Sequence, residues 1–142
     1  MPHDGEGIPR EPSMYLTALA HGGLTTTPTD LANFNREIML SYQGKSEIII
    51  SQEMTRRLFN KEFDLDPKMF GIPLFEGIGV LLMGEGKNLL FAHPGSNLPG
   101  LNCWLIGWPE RGNSIVIITN GAQGEVLAME IISAFNNEYN KL

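Results

Sequence analysis

The sequence predicts an α+β protein: an antiparallel β-meander of about four strands, two short helices before it, and a carboxy-terminal helix packed across the sheet. Three observations carry this. Apolar runs separated by Gly, Pro and Asn turns recur from Gly77 to Asn120. A helix-start signal stands at Thr27-Pro28-Thr29-Asp30. From Gly124 to Tyr139, Val126, Leu127, Met129, Ile131, Ile132, Ala134 and Phe135 form a broad apolar surface suited to covering a sheet.

Residues 1 to 21 read as a flexible leader or loop remnant, because Pro2, Gly5, Gly7, Pro9 and Pro12 lie among charges and leave little to bury. Residues 22 to 142 read as a single domain. Thr27 caps the first helix, Pro28 takes its first position, and Asp30 lies near the positive end of the dipole. Its inward stripe is Leu31, Phe34 and Ile38, with Asn33, Asn35, Arg36 and Glu37 on the wet side, and it ends around Ser41, before Gly44. Ser46 to Ile50 has β-branched content, but Ser51 followed by Gln52 and Glu53 favours a short helix to Asn60 with Met54 and Leu58 on one face. Pro67, Gly71 and Pro73 punctuate the stretch from Phe63 to Pro73, where Asp64 and Asp66 serve turns.

From Gly77 the pattern turns to β. Ile78 to Met83, the turn Gly84 to Asn88, and Leu89 to His93 form a hairpin. Pro94 and Gly95 begin a tight turn, Leu101 to Gly107 is the third strand, and Ser114 to Asn120 the fourth. The unbroken apolar centre of the fourth strand implies that both its faces are covered.

Composition excludes several classes. Ten Lys and Arg against 16 Asp and Glu give a net charge of -6 with no basic run, so no phosphate-neutralising stripe for nucleic acid exists. No stretch approaches the roughly 20 apolar residues of a membrane span, and no export signal stands at the start of the sequence as written. His3, His21 and His93 are far apart and Cys103 is alone, so no zinc spacing or internal disulfide forms, and neither metal nor cofactor is expected. Gly84-Glu85-Gly86-Lys87 lacks the Walker spacing, Gly77-Ile78-Gly79 lacks the third dinucleotide glycine, and His21-Gly22-Gly23 has no Gly-x-Ser-x-Gly elbow to serve. Compartment stays open.

The stretch Phe91 to Gly100 concentrates what chemistry there is. A lone histidine in an apolar segment reads first as a satisfied structural residue. Taken with their order in the chain, however, Gly22 to Phe34, Gly77-Ile78-Gly79, His93-Pro94-Gly95, Ile117-Ile118-Thr119-Asn120 and the closing helix resemble the carboxy-terminal half of the serine β-lactamase and penicillin-binding-protein superfamily. The likeness is nearest to its class C β-lactamase, D-alanyl-D-alanine carboxypeptidase and esterase branch, and runs from Gly22 to Tyr139.

That resemblance implies a partial β-lactamase/transpeptidase-like fold whose third active-site motif, His-x-Gly, lies on a strand lining the cleft. His93 would hold the substrate carboxylate or join the proton-shuttle network. Gly95 would let substrate approach the backbone, and the Ser96 N–H would be one of two oxyanion-hole donors, a role worth ~3 kcal/mol. The departures matter equally. No serine is followed by Lys at the third position and no tyrosine by Asn at the second, so the Ser-x-x-Lys nucleophile and the Tyr-x-Asn motif of the family's amino-terminal half are missing from this chain.

The expectation is therefore a piece of a hydrolase acting on a β-lactam, D-alanyl peptide, amide or ester, inactive by itself. Bare apolar edges would drive self-association, by edge pairing or exchange of elements, or complementation by a separate amino-terminal fragment. The alternative is a stand-alone non-catalytic binding or assembly module derived from that fold.

Overall fold

The computed structural model describes residues 1–11, 22–66, 73–97 and 100–139. Its elements are α1 (Pro28–Tyr42), α2 (Gln52–Leu58), β1 (Phe63–Leu65), β2 (Leu74–Glu76), β3 (Leu81–Met83), β4 (Leu90–Asn97), β5 (Leu101–Trp108), β6 (Asn113–Thr119) and α3 (Gly124–Tyr139). The strands form one six-stranded sheet in chain order, a meander two strands longer than the sequence predicts. By contacts the chain divides into two compact units: Met1–Pro28, Pro94–Trp104 and Ile117–Leu142 form one, Thr29–His93 and Leu105–Val116 the other. Among the described residues, no helix is long and apolar enough to cross a membrane.

The unit containing Thr29–His93 has a core of Ile38, Met39, Phe59, Leu82, Phe91 and Leu105. The Phe59 and Phe91 rings stack at 4.5 Å, and Tyr42 tilts against Phe59 at 5.5 Å. Helix α1 starts as its Pro28 and Asp30 dictate. It ends in a Schellman turn: Lys45 N–H donates to Leu40 O, Gly44 N–H to Ser41 O, and Gly44 takes φ +71°, open to glycine at no steric cost.

Its inward face, however, is rotated from the predicted stripe. Asn35, Ile38, Met39 and Ser41 are buried while Phe34 is 46% exposed. The cause is polar. Asn35 Nδ2 donates to Ile106 O at 2.9 Å, and a buried hydrogen bond with its desolvation at stake outweighs the apolar periodicity.

Helix α2 is capped by Ser51, whose Oγ accepts from Met54 N–H at 3.2 Å. Of the predicted face, Leu58 packs against the core cluster and Met54 does not. Met54 is 48% exposed, whereas Thr55 is fully buried with its hydroxyl donating to Ser51 O at 2.9 Å, and Phe59 follows one turn later.

β1 corrects the reading of Phe63–Leu65 as part of a turn, while Pro67 and Gly71 lie outside the described residues. Asp64 lies in a strand, paired with Phe75, and Phe63 with Glu76. Three-residue strands carry no alternation long enough to see in sequence, and their pairing supplies what propensity does not.

The unit containing the termini is tied by residues 1–11, a hydrogen-bonded loop. The Asp4 carboxylate accepts from Glu6 N–H, Ile8 N–H and Arg10 Nε, and the Ile8 bond foremost lowers its pKa below the ordinary carboxyl value. His3 N–H donates to Asn120 O at 2.6 Å and its carbonyl accepts from Ala122 N–H at 3.0 Å. Residues 12–21, the rest of the expected leader, lie outside the described residues.

α3 fully buries only small residues, with Ile132 and Phe135 half-buried. Gly124 and Ala128 are buried, and a Cβ on Gly124 would overlap the Thr119 hydroxyl and the Asn102 amide. Several larger members of its apolar surface stay out: Val126 is 57% exposed, Leu127 50% and Met129 42%. On β6, Ile117 is buried and Val116, on the opposite face, packs against the core cluster, while Ile118 is 37% exposed, so the expected cover on both faces holds at the strand centre and lapses at Ile118.

Gly107 is the tightest test of the core. A Cβ there would stand 2.5 Å from the Phe91 ring and 3.3 Å from Met39 Sδ. Gly107→Ala is expected to cost about 1–3 kcal/mol of stability in urea unfolding. Gly95→Ala, with nothing near its Cβ, should stay within about 0.5 kcal/mol of the parent. Equal unfolding midpoints for the two variants would contradict this packing.

Candidate functional site

β4 carries the candidate residues, and the strand runs on where the sequence predicts a turn at Pro94-Gly95: it continues through Pro94, Gly95 and Ser96 to Asn97. Proline lacks the N–H that a ladder needs. β3 is paired only as far as Ala92, so on that side no hydrogen bond from Pro94 is called for. Leu90, Phe91 and Ala92 are buried; His93, Gly95 and Ser96 are exposed. The division into units falls between His93 and Pro94, and each candidate belongs with its own neighbours.

His93 is held by the bend before β3. Gly77 N–H donates to Val80 O, Ile78 N–H donates to Leu58 O, and Gly79 adopts φ +73°. That left-handed residue presents its carbonyl to His93 Nδ1 at 2.8 Å. A carbonyl only accepts, so Nδ1 carries the proton. In the neutral ring Nε2 is then the unprotonated nitrogen, available to accept a proton or a hydrogen bond on an exposed side chain.

Ser96 has a different environment. Its hydroxyl donates to Asn102 Oδ1 at 2.8 Å, and Asn102 Nδ2 in turn donates to Gly121 O at 3.1 Å and Thr119 Oγ1 at 3.4 Å. Asn102 is buried and every polar atom of its amide is used. Because the Ser96 proton rests on a neutral amide oxygen rather than a base, Ser96 Oγ is not an activated nucleophile. Gly95 is exposed and nothing lies within 4 Å of where its Cβ would be, so the strand backbone is approachable there.

Sequence reasoning names His93, Gly95 and Ser96 but not Gly79 or Asn102. The signal for Asn102 is its position as a single amide within the apolar run Leu101 to Gly107. Cys103 is half-buried, and burial raises its thiol above the ordinary value, which keeps it protonated and unreactive. Among the described residues, no three His, Cys, Asp or Glu side chains gather as a metal site would need. No family model, characterised protein or solved structure matches the chain.

The His93 geometry is directly measurable. Long-range 15N–1H correlation spectra of the neutral imidazole should show the Nδ1–H tautomer, with Gly79→Pro removing that preference. An Nε2–H tautomer in the parent protein would refute the bond to Gly79.

Proposed function

We propose that the chain contributes the His-x-Gly flank of a serine β-lactamase-like hydrolase, an acyl-transfer enzyme of β-lactam, D-alanyl peptide, amide or ester substrates, with the nucleophile supplied by another segment. The observation that carries this reading is the His93–Gly79 bond, made by an exposed side chain within β4. It sets an imidazole with a free Nε2 two residues from an unobstructed glycine backbone. A meander followed by a long carboxy-terminal helix accords with the same reading.

Each residue then has one task. His93 Nε2 would receive a hydrogen bond or, protonated, face the substrate carboxylate. Gly95 would admit the substrate to the strand. The Ser96 N–H would donate to the developing oxyanion, while the bond from its hydroxyl to Asn102 keeps the side chain away from that role.

A second reading, a non-catalytic assembly module, is favoured by one observation: Val126, Leu127, Met129 and Ile131 of α3 are all more than a third exposed. Apolar area of that extent on one helix marks a contact surface.

Two measurements separate these readings. DNA beside the coding segment should encode Ser-x-x-Lys and then Tyr-x-Asn, in frame or in an adjacent gene; absence of both favours the assembly module. Light scattering at micromolar concentration should show a dimer or larger species, and Leu127→Glu with Ile131→Glu should return it to monomer. A monomeric parent chain would overturn the self-association.

A further inference from the structure

We propose that the cleft formed by α1, the turn after it, α2 and the β5–β6 turn binds a small phosphate-bearing molecule. The cleft measures about 610 Å³, within the usual size range of small-ligand sites, and is lined in part by Arg36, Tyr42, Lys45, Arg56, Glu110 and Arg111. All of these belong to one compact unit. None is His93, Gly95 or Ser96, so the inference stands independently of the hydrolase reading.

Charge points to the ligand class. The protein has ten Lys and Arg against 16 Asp and Glu, yet Arg36, Lys45, Arg56 and Arg111 line this cleft; Arg36 is paired with Glu37 at 3.0 Å, and Glu110 is the only carboxylate among the described lining residues. Glu110 Oε1 accepts from Tyr42 Oη at 3.0 Å instead of pairing with a cation. That bond leaves the phenol protonated: burial first, and then Glu110, raise the Tyr42 pKa above its ordinary value.

Donors stand ready. Among the described residues, the Lys45 ammonium has no hydrogen bond or ion pair, and the Arg56 guanidinium meets only the Tyr42 ring, 5.9 Å from its centroid. Arg111 is held in place, its Nε donating to Lys87 O at 2.9 Å and an NH2 group to Asn88 Oδ1 at 2.7 Å. The backbone beneath is also set, since Gln52 Nε2 donates to Tyr42 O at 3.1 Å and the Gly44 turn fixes where Lys45 leaves the helix. Like charges facing one cleft focus a positive potential.

A phosphate monoester carries close to two negative charges at neutral pH on one compact group, which matches a cationic surplus better than a single carboxylate does. Guanidinium forks suit its oxygens. The volume beyond the phosphate and the flat Tyr42 ring leave room for an organic body. A long polyanion is disfavoured by the net charge of -6.

The test titrates phenyl phosphate, and separately inorganic phosphate, into the full chain at low salt, read by 15N–1H amide shifts and thermal unfolding. Saturable shifts at residues 36–56 and 110–112, with a rise in Tm, are expected from phenyl phosphate, and weaker shifts at the same residues from inorganic phosphate. Lys45→Gln with Arg56→Gln should weaken binding about tenfold or more, with the ligand-free Tm lowered only slightly by loss of the Arg56 contact with the Tyr42 ring. Should that pair fail to fold, Lys45→Gln alone, on an exposed side chain, keeps the comparison. The proposal is overturned by no saturable shift at millimolar phenyl phosphate, or by equal affinity in the variants. An acidic peptide binding there while phenyl phosphate does not would also overturn it, and would make the face a protein-docking surface.

Discussion

Burial of the Phe91 ring is the constraint on which the placement of the candidate site depends. Phe91 is 2% exposed and pairs across the ladder with Leu82, which is fully buried. Its ring stacks on Phe59 and fills the space Gly107 leaves by having no side chain. A slip of one residue would turn this whole set outward, so the register is strongly specified. Once Leu82 and Phe91 are opposed, His93 leaves the core two residues later, and the bend at Gly77–Val80 lies where Gly79 can meet it. Hydrophobic burial thus positions a polar contact that contributes little to stability itself.

Two buried amides set the finer geometry. Asn35 turns α1 by bonding Ile106 O, and Asn102 gathers Ser96, Thr119 and Gly121. They are not equally satisfied: Asn35 Oδ1 has no partner, whereas each polar atom of Asn102 has one. An orphaned buried acceptor costs stability, and the bond from the Asn35 amide to the Ile106 carbonyl offsets part of that cost. The Asn102 network has a chemical consequence as well. It engages the Ser96 hydroxyl, on the same strand as His93 and Gly95, as a donor to a neutral oxygen, which leaves that serine without a base.

Much of the architecture was legible in the chain. The cap at Pro28 and Asp30, the Ser51 cap, the hairpin into Phe91, the long β5 and β6, and the helix from Gly124 to Tyr139 each rest on a local rule that the structure obeys. What periodicity misjudged were faces. Phe34 and Met54 look like core residues by spacing, but Asn35 and Thr55 take the inward positions because of hydrogen bonds to groups distant in sequence or on the preceding turn. β1 and β2 were hidden because each exists only through its neighbour. For the site, His93 and Gly95 stood out by residue type, whereas Gly79 and Asn102 act through a backbone angle and a buried amide that composition does not reveal.

This chain holds an oriented imidazole at His93 and an open strand at Gly95, and its Ser96 hydroxyl has no base to activate it. Exposure of the purified protein to a labelled penicillin, followed by intact-mass spectrometry and nitrocefin turnover, tests this most directly. The account predicts an unchanged mass and no turnover above background. A stoichiometric acyl adduct on Ser96 or any other hydroxyl of the chain, with turnover, would contradict it.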